Sequence, residues 1–77
     1  MGVRERIVVL HVARRGEKRE PWLVKLGLDQ YEVSFVLKNG RVALMGKHKP
    51  GSRGPVEIPD AYIGLLRARA YAIFRDG

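Results

Sequence analysis

A stretch rich in glycine and cations, Gly46–Gly54, carries the residue types of this chain best suited to binding an anion. It reads GKHKPGSRG, in which three glycines and a proline interrupt any helix or strand. Lys47, Lys49 and Arg53 supply the positive charge, and His48 adds a further donor. Because these charges must face water or an acidic partner, phosphate is the expected ligand. The alternative is a solvated loop that only keeps the chain soluble.

A second group of cations surrounds Gly16, in a predicted turn near the start of the chain. It comprises Arg14, Arg15, Lys18 and Arg19. Two such groups lying side by side would follow a phosphate chain by charge alone, and their binding would weaken as salt rises. The order of the strands decides whether they are neighbours, and the sequence leaves this open.

Aromatic side chains beside these cations are candidates for stacking on unpaired bases, an interaction worth about 1–3 kcal/mol per base. Trp22 and Tyr31 lie near predicted strand ends, next to basic turns. Trp22 shares a predicted strand face with Val24 and Leu26, a pattern that favours the core instead. Tyr31 lies at the rim of the predicted core face, which is compatible with either role.

The chain lacks the sequence signatures of an enzyme or a metal centre. Its histidines are His11, within an apolar run, and His48, in the basic stretch, and it has no cysteine. Its serines, Ser34 and Ser52, lie in no nucleophile-elbow motif, and Gly46–Gly54 lacks the Gly-Lys-Ser/Thr ending of a Walker loop. We therefore predict a protein that is not an enzyme and that uses no metal and no cofactor.

Length and charge predict one small basic domain over residues 1–77. The 77 residues include 15 Lys and Arg against 8 Asp and Glu, and the resulting net charge of +7 suits a polyanion: DNA, RNA or an anionic membrane. The apolar run after Arg6 is too short for a signal peptide or a membrane span, so we expect an intracellular, cytoplasmic protein. A core this small favours a homodimer. The scarcity of side-chain amides, Gln30 and Asn39, is typical of a thermophile.

Hydrophobic periodicity predicts an α+β fold: a curved antiparallel β-sheet of four to five strands with one C-terminal helix. The predicted strands are Ile7–Ala13, Trp22–Leu28, Tyr31–Leu37, Arg41–Met45 and the short Val56–Ile58. The first is apolar throughout, which is typical of a strand buried on both faces or lying at a dimer seam. Apolar residues between Tyr62 and Phe74 recur every three or four positions, which indicates an amphipathic helix.

The Asn39-Gly40 pair predicts a type I′ hairpin, because both positions tolerate positive φ. Pairing of Lys38 with Arg41 then fixes the register. The core side of this hairpin comprises Val33, Phe35, Leu37, Val42 and Leu44. The other side comprises Ser34, Val36, Ala43 and Met45. Since this outer side is largely apolar, we expect a second subunit or nucleotide bases to cover it.

The second half of the chain resembles the positive cofactor four family of transcriptional coactivators and single-stranded-DNA-binding proteins. The hairpin Tyr31–Val42, the Lys-Pro-Gly loop Lys49–Gly54, the segment Val56–Pro59 and the helical stretch to Phe74 follow the family's order. Pro55 and the two strands before Tyr31 have no counterpart in the family pattern.

The resemblance implies a four-stranded curved sheet in each subunit, dimerised through helix and sheet. It also implies that unpaired DNA is held across the sheets by basic loops and aromatic side chains. By this match Lys49 and Arg53 bind the strand, and Lys38 and Arg41 are further contacts.

The sequence thus predicts a small basic protein that binds nucleic acid without reading base edges, with single-stranded DNA preferred. RNA and duplex DNA come next. One alternative is a protein-interaction module or a subunit of a larger assembly, docked through the apolar outer face of the sheet. A further alternative is a small regulator that binds duplex DNA.

Overall fold

The computed structural model describes residue 2 and residues 6–77 of the chain. Four antiparallel strands follow one another across a single sheet in chain order, and one helix follows them. The elements are β1 (Val8–Arg15), β2 (Glu20–Leu28), β3 (Tyr31–Lys38), β4 (Arg41–His48) and α1 (Asp60–Asp76). The predicted α+β fold, a four-stranded antiparallel sheet with a C-terminal helix, is confirmed.

The β3–β4 hairpin has the predicted turn and register. Asn39 and Gly40 have φ values of 53° and 76°, and Lys38 pairs with Arg41. Beyond Phe35, which pairs with Leu44 as expected, the register shifts by one residue. Met45 is the additional residue, and it bulges from β4.

The core lies between α1 and one face of the sheet. Strand alternation places every second side chain of β2 and β3 on this face, and helical spacing brings buried residues of α1 down onto it. The fully buried members are Val24, Leu26, Val33, Phe35, Leu66 and Ala70, joined by Leu28, Ile58 and Phe74. Each large apolar side chain buried here contributes roughly 1.5–3 kcal/mol.

Two sequence-based boundaries are wrong. β4 continues past Met45 to His48, so the first third of the basic stretch is strand and not loop. Val56–Ile58 forms no strand. Pro55 and Pro59 flank this triplet and restrict its backbone, and Ile58 is buried by packing against the core without joining the ladder.

Trp22 does not share the core face with Val24 and Leu26, contrary to the sequence pattern. Ala13 pairs with Leu23 but Arg14 pairs with Pro21, so Trp22 is an additional residue in β2. Such a bulge reverses the alternation of the strand beyond it. Accordingly Pro21 is buried, whereas Trp22 is only half-buried and is not among the side chains packed against the core.

Polar side chains fix both ends of α1. At its start, the Tyr62 hydroxyl donates to Oδ2 of Asp29 at 2.8 Å, and Arg6 Nε lies 3.5 Å from Oδ1 of the same carboxylate. At its end, Arg14 Nη1 donates to the carbonyl oxygen of Gly77 at 2.7 Å. The helix therefore runs from the β2–β3 turn to the β1–β2 turn.

The Tyr62–Asp29 contact predicts a loss of stability at high pH. The hydrogen bond to Asp29 is the main cause that raises the pKa of Tyr62 above its usual 10.0. A raised pKa means that the neutral phenol stabilises the fold. This contribution is complete below about pH 10, the unfolded pKa, and disappears as pH rises through the folded pKa. Urea unfolding of the wild type and of Tyr62→Phe should differ at neutral pH and converge in strong alkali.

Tyr71→Phe is the matched control, because the Tyr71 hydroxyl makes no hydrogen bond to the part of the chain that the structure describes. A stability difference between wild type and Tyr62→Phe that stayed constant across this pH range would contradict the role given to the hydrogen bond.

Candidate nucleic-acid interface

The two ends of the sheet differ in their connections. In an antiparallel meander the first and third turns lie at one end and the second turn lies at the other. We call the end with the β1–β2 turn (residues 16–19) and the β3–β4 turn (Asn39-Gly40) the turn end. The loop end holds the Asp29-Gln30 turn and the loop 49–59 that leads to α1. Strands of this length separate the ends by roughly 25 Å.

This topology divides the sequence-predicted site residues into two groups. At or next to the turn end lie Arg14, Arg15, Lys18, Arg19, Trp22, Lys38 and Arg41. Towards the loop end lie Tyr31, Lys47, His48, Lys49 and Arg53. The two basic clusters seen in the sequence are therefore not neighbours, and one chain does not join them into a continuous track. Instead the first basic turn has the Lys38/Arg41 hairpin beside it.

Four of the turn-end residues converge on the sheet face that α1 does not cover, here called the open face. Lys38 and Arg41 pair with each other one position beyond Leu37 and Val42, which pack against the core. Alternation therefore directs both cations to the open face. The Arg15 guanidinium carbon lies 5.1 Å from the centre of the Trp22 ring, a cation–π contact. These four side chains form the candidate interface.

The cations of this interface form no ion pairs within the described chain, although Glu17 lies in the β1–β2 turn and Glu20 lies opposite Arg15. Among residues 6–77 the ion pairs are Arg6–Asp29, Lys25–Glu32 and Arg75–Asp76. None of them involves a cation of the β1–β2 turn or of the β3–β4 turn. An excess of cations at one end of a small domain attracts a polyanion over a distance of about 8–10 Å at physiological salt.

Arg14 has a different role from its neighbours. Its Nη1 atom donates to the carbonyl oxygens of Arg19 at 2.9 Å and of Gly77 at 2.7 Å. These bonds close the β1–β2 turn and tie it to the end of α1. Arg14 is therefore a structural residue in this arrangement, and we leave it out of the candidate interface.

An apolar row crosses the open face next to the interface. Strand pairing aligns Ala13 with Leu23, Leu23 with Val36, and Val36 with Ala43, so one row runs through all four strands. All four side chains are half-buried. Alternation in the hairpin predicted Val36 and Ala43. Ala13 and Leu23 were missed, because their positions depend on the β1–β2 register, which no sequence motif specifies.

Between the apolar row and the loop end, the open face is polar and its charges are paired. Lys25 Nζ lies 3.0 Å from Glu32 Oε1 across β2 and β3. His48 pairs with the same glutamate from β4. The open face thus changes along the strands from cationic, through apolar, to neutral and polar.

The loop end offers fewer groups suited to binding bases. The Tyr31 ring packs edge-to-face on Tyr62, with ring centres 6.2 Å apart, and belongs to the shell of the core. Lys47 lies opposite the buried Val33, Lys49 is half-buried in a turn closed by Ser52 N–H to its carbonyl at 3.0 Å, and Arg53 is exposed in the following loop.

Metal binding and membrane spanning are further alternatives for the part of the chain that the structure describes. There, no three His, Cys, Asp or Glu side chains come together as a metal site would require. Within the same residues, no helix has the length and apolar character needed to cross a bilayer.

Comparison of this chain with family models, with curated proteins and with solved structures finds no match. The resemblance to the positive cofactor four family therefore stays a prediction. The class that fold and site define is a small basic α+β domain with one uncovered sheet face.

The position of Trp22 outside the core can be tested by stability. Phe35→Ala removes a fully buried ring and should cost about 3–5 kcal/mol. Trp22→Ala removes a half-buried ring outside the core, so it should cost less than about 2 kcal/mol. Denaturant unfolding followed by circular dichroism measures both. Equal losses of stability in the two variants would indicate that Trp22 belongs to the core.

Proposed function

We propose that this protein binds single-stranded nucleic acid on the open face of its sheet, at the turn end, without reading base sequence. The observation that carries the proposal is that Arg15, Trp22, Lys38 and Arg41 lie at the turn end of one sheet face. Glu20 is opposite Arg15 in the strand register, but no ion pair among residues 6–77 involves Arg15, Lys38 or Arg41. Preference for DNA over RNA rests on the family resemblance.

Each group has a distinct role in this proposal. Arg15, Lys38 and Arg41 hold phosphates, with Lys18 and Arg19 of the adjacent turn adding to the positive potential. Trp22 and the apolar row provide a surface on which unpaired bases stack. Arg15 already stacks on Trp22, so it can present its charge to a phosphate while the ring faces a base.

A single strand fits this face better than a duplex. Bases in a duplex are stacked on one another and turn only their edges outward, so an apolar row has nothing to contact there. Insertion into a major groove would require α1, but its residues Leu66, Ala70 and Phe74 are buried in the core.

The salt dependence of binding and a matched pair of triple variants test the phosphate contacts. Anisotropy of a labelled single-stranded oligonucleotide should show binding at ~50 mM salt that weakens strongly by ~200 mM. Arg15→Ala/Lys38→Ala/Arg41→Ala should bind much more weakly. Its slope of log affinity against log salt should be shallower by about 2, since each phosphate contact to a single strand contributes about 0.7.

Lys47→Ala/Lys49→Ala/Arg53→Ala is the matched control, because it removes the same number of cations from the loop end. We expect it to lower affinity far less. Equal losses from the two triple variants would show that net charge and not the turn end governs binding. Absence of binding at ~50 mM salt, where phosphate contacts are strong, would contradict the proposed function.

Trp22, the single tryptophan of the chain, reports directly on stacking. Its fluorescence should be quenched as the single strand saturates the protein. Trp22→Ala should weaken binding by about 5- to 140-fold, the equivalent of one base stack, whereas Trp22→Phe should retain most of the affinity. Unchanged emission at saturation would remove Trp22 from the site.

A second candidate function is a protein-interaction module, favoured by the apolar side chains of the open face. Besides the apolar row, Leu10 and Met45 are 46% and 61% exposed. Exposed apolar surface of this kind is typical of protein docking. The oligonucleotide titration separates the candidates, and selective binding of duplex in the same titration would favour a duplex-DNA regulator.

A further inference from the structure

We propose that two copies of this chain form a dimer by antiparallel pairing of their β1 strands, which joins the two sheets into one of eight strands. This inference goes beyond the proposed function, which one copy can perform. It concerns the free edge of β1, a surface distinct from the candidate interface.

β1 is an edge strand of the described sheet, since it is first in the strand order and, among residues 6–77, pairs with β2 alone. Its outer edge presents backbone N–H and C=O groups that can pair with another strand. The segment Val8–Ala13 contains no formally charged residue and no proline. Its Val8, Val9 and Leu10 are 54%, 42% and 46% exposed. Natural edge strands usually carry charge or proline to prevent pairing, and this segment has neither.

The opposite edge, β4, shows such protection. Its sequence includes Arg41 and Lys47, and Arg67 from α1 donates Nη1 to the Val42 carbonyl oxygen at 2.9 Å. The two edges therefore differ in where their cations lie, since β1 carries Arg14 and Arg15 at its turn end alone whereas β4 carries Arg41 and Lys47 towards both ends. They also differ in coverage by α1. This contrast marks β1 as the edge available for pairing.

A bulge in β1 directs its extra side chain onto the open face and not outward from the edge. Val9 pairs with Leu26 and His11 with Lys25, so Leu10 is the additional residue. Its side chain lies over Gly27 on the open face, where a Cβ on the glycine would come within 3.2 Å of Leu10 Cδ1. The extra residue is thus accommodated above the sheet and does not project from its edge.

A second copy is the occupant that fits this edge best. Antiparallel pairing of identical strands obeys two-fold symmetry, so each copy supplies the same apolar strand. Chains with a net charge of +7 repel each other, and an uncharged segment is where they meet at least cost. An acidic partner would instead be drawn to the turn end.

The surface beside β1 extends the same apolar character onto the helix side. A groove of about 270 Å³ lies between the start of β1 and α1, lined by Ile7, Leu65, Ala68, Arg69 and Ala72. Val9 faces the helix side of the sheet opposite Leu26 but stays exposed. In a dimer centred on the segment Val8–Ala13, Val9 would lie next to the partner strand, beside this groove.

Pairing would also rejoin the divided cations, a consequence that rests on the proposed function. Two-fold antiparallel pairing brings the turn end of one copy and the loop end of the other to the same side of the eight-stranded sheet. The cations of Arg15–Arg19 in one copy and of Lys47–Arg53 in the other would then lie along one edge.

Sedimentation equilibrium over a range of protein concentrations tests the dimer. The wild type should approach twice the 8.7 kDa of one chain. Since like charges are screened by salt, dimerisation should strengthen as salt rises, whereas nucleic-acid binding weakens. The opposite salt dependences keep a failure of this inference distinct from a failure of the proposed function. A mass of one chain at every concentration and salt would overturn the inference.

Matched double variants on the two edges locate the contact. Val9→Lys/Leu10→Lys adds two charges to exposed apolar positions on β1 and should give monomers. Leu44→Lys/Met45→Lys adds the same charge to 38% and 61% exposed positions on β4 and should stay dimeric. A folded β1 variant that remains dimeric, or loss of the dimer in the β4 variant alone, would overturn the assignment to β1.

Hydrogen exchange of the wild type decides the question if the β1 variant does not fold. Amides of β1 should gain protection as protein concentration rises, and amides of β4 should not. Protection of β1 that is independent of concentration would count against the dimer.

Discussion

α1 is narrower than the four-stranded sheet on which it packs, and this difference in width determines which surfaces of the sheet stay exposed. An α-helix with its side chains is roughly 10 Å wide, whereas four strands spaced about 4.8 Å apart span roughly 14 Å between their outer axes. α1 therefore buries the middle of one face, where Val24, Leu26, Val33 and Phe35 lie. It leaves Val9 of β1 exposed on that same face, and it leaves the entire open face uncovered. The candidate interface and the free edge are the surfaces that this helix cannot reach.

The charge distribution of the chain agrees with the direction of the helix. A helix carries partial positive charge at its N-terminus and partial negative charge at its C-terminus. Asp60 begins α1 and Asp29 accepts the Tyr62 hydrogen bond nearby, so acidic groups lie at the positive end. Arg14 donates to the Gly77 carbonyl oxygen at the other end. Acidic groups at the start of α1 and a cation at its end thus complement the helix dipole.

The sequence predicts those features that depend on local pattern. The Asn39-Gly40 turn, the pairing of Lys38 with Arg41 and the helix all follow from turn chemistry and periodicity. Features that depend on a single inserted residue cannot be predicted from local pattern. A bulge at Trp22 reverses the face of a side chain, and strict alternation gives no warning of it. The predicted strand Val56–Ile58 is wrong for a related reason. Ile58 is buried by packing alone, and an apolar residue buried in this way gives the same sequence pattern as a short strand.

Topology explains why the candidate site differs from the one that the sequence suggested. Successive turns of a meander alternate between the two ends of the sheet. The first and third turns of this chain are basic, through Arg15, Arg19, Lys38 and Arg41, whereas the second contains Asp29. In the folded sheet, alternation thus separates the basic first and third turns from the acidic second turn. The basic stretch Gly46–Gly54 begins inside the fourth strand, continues beyond it, and lies at the same end of the sheet as the acidic turn. Counting turns, and not measuring separation along the sequence, identifies which cations can act together.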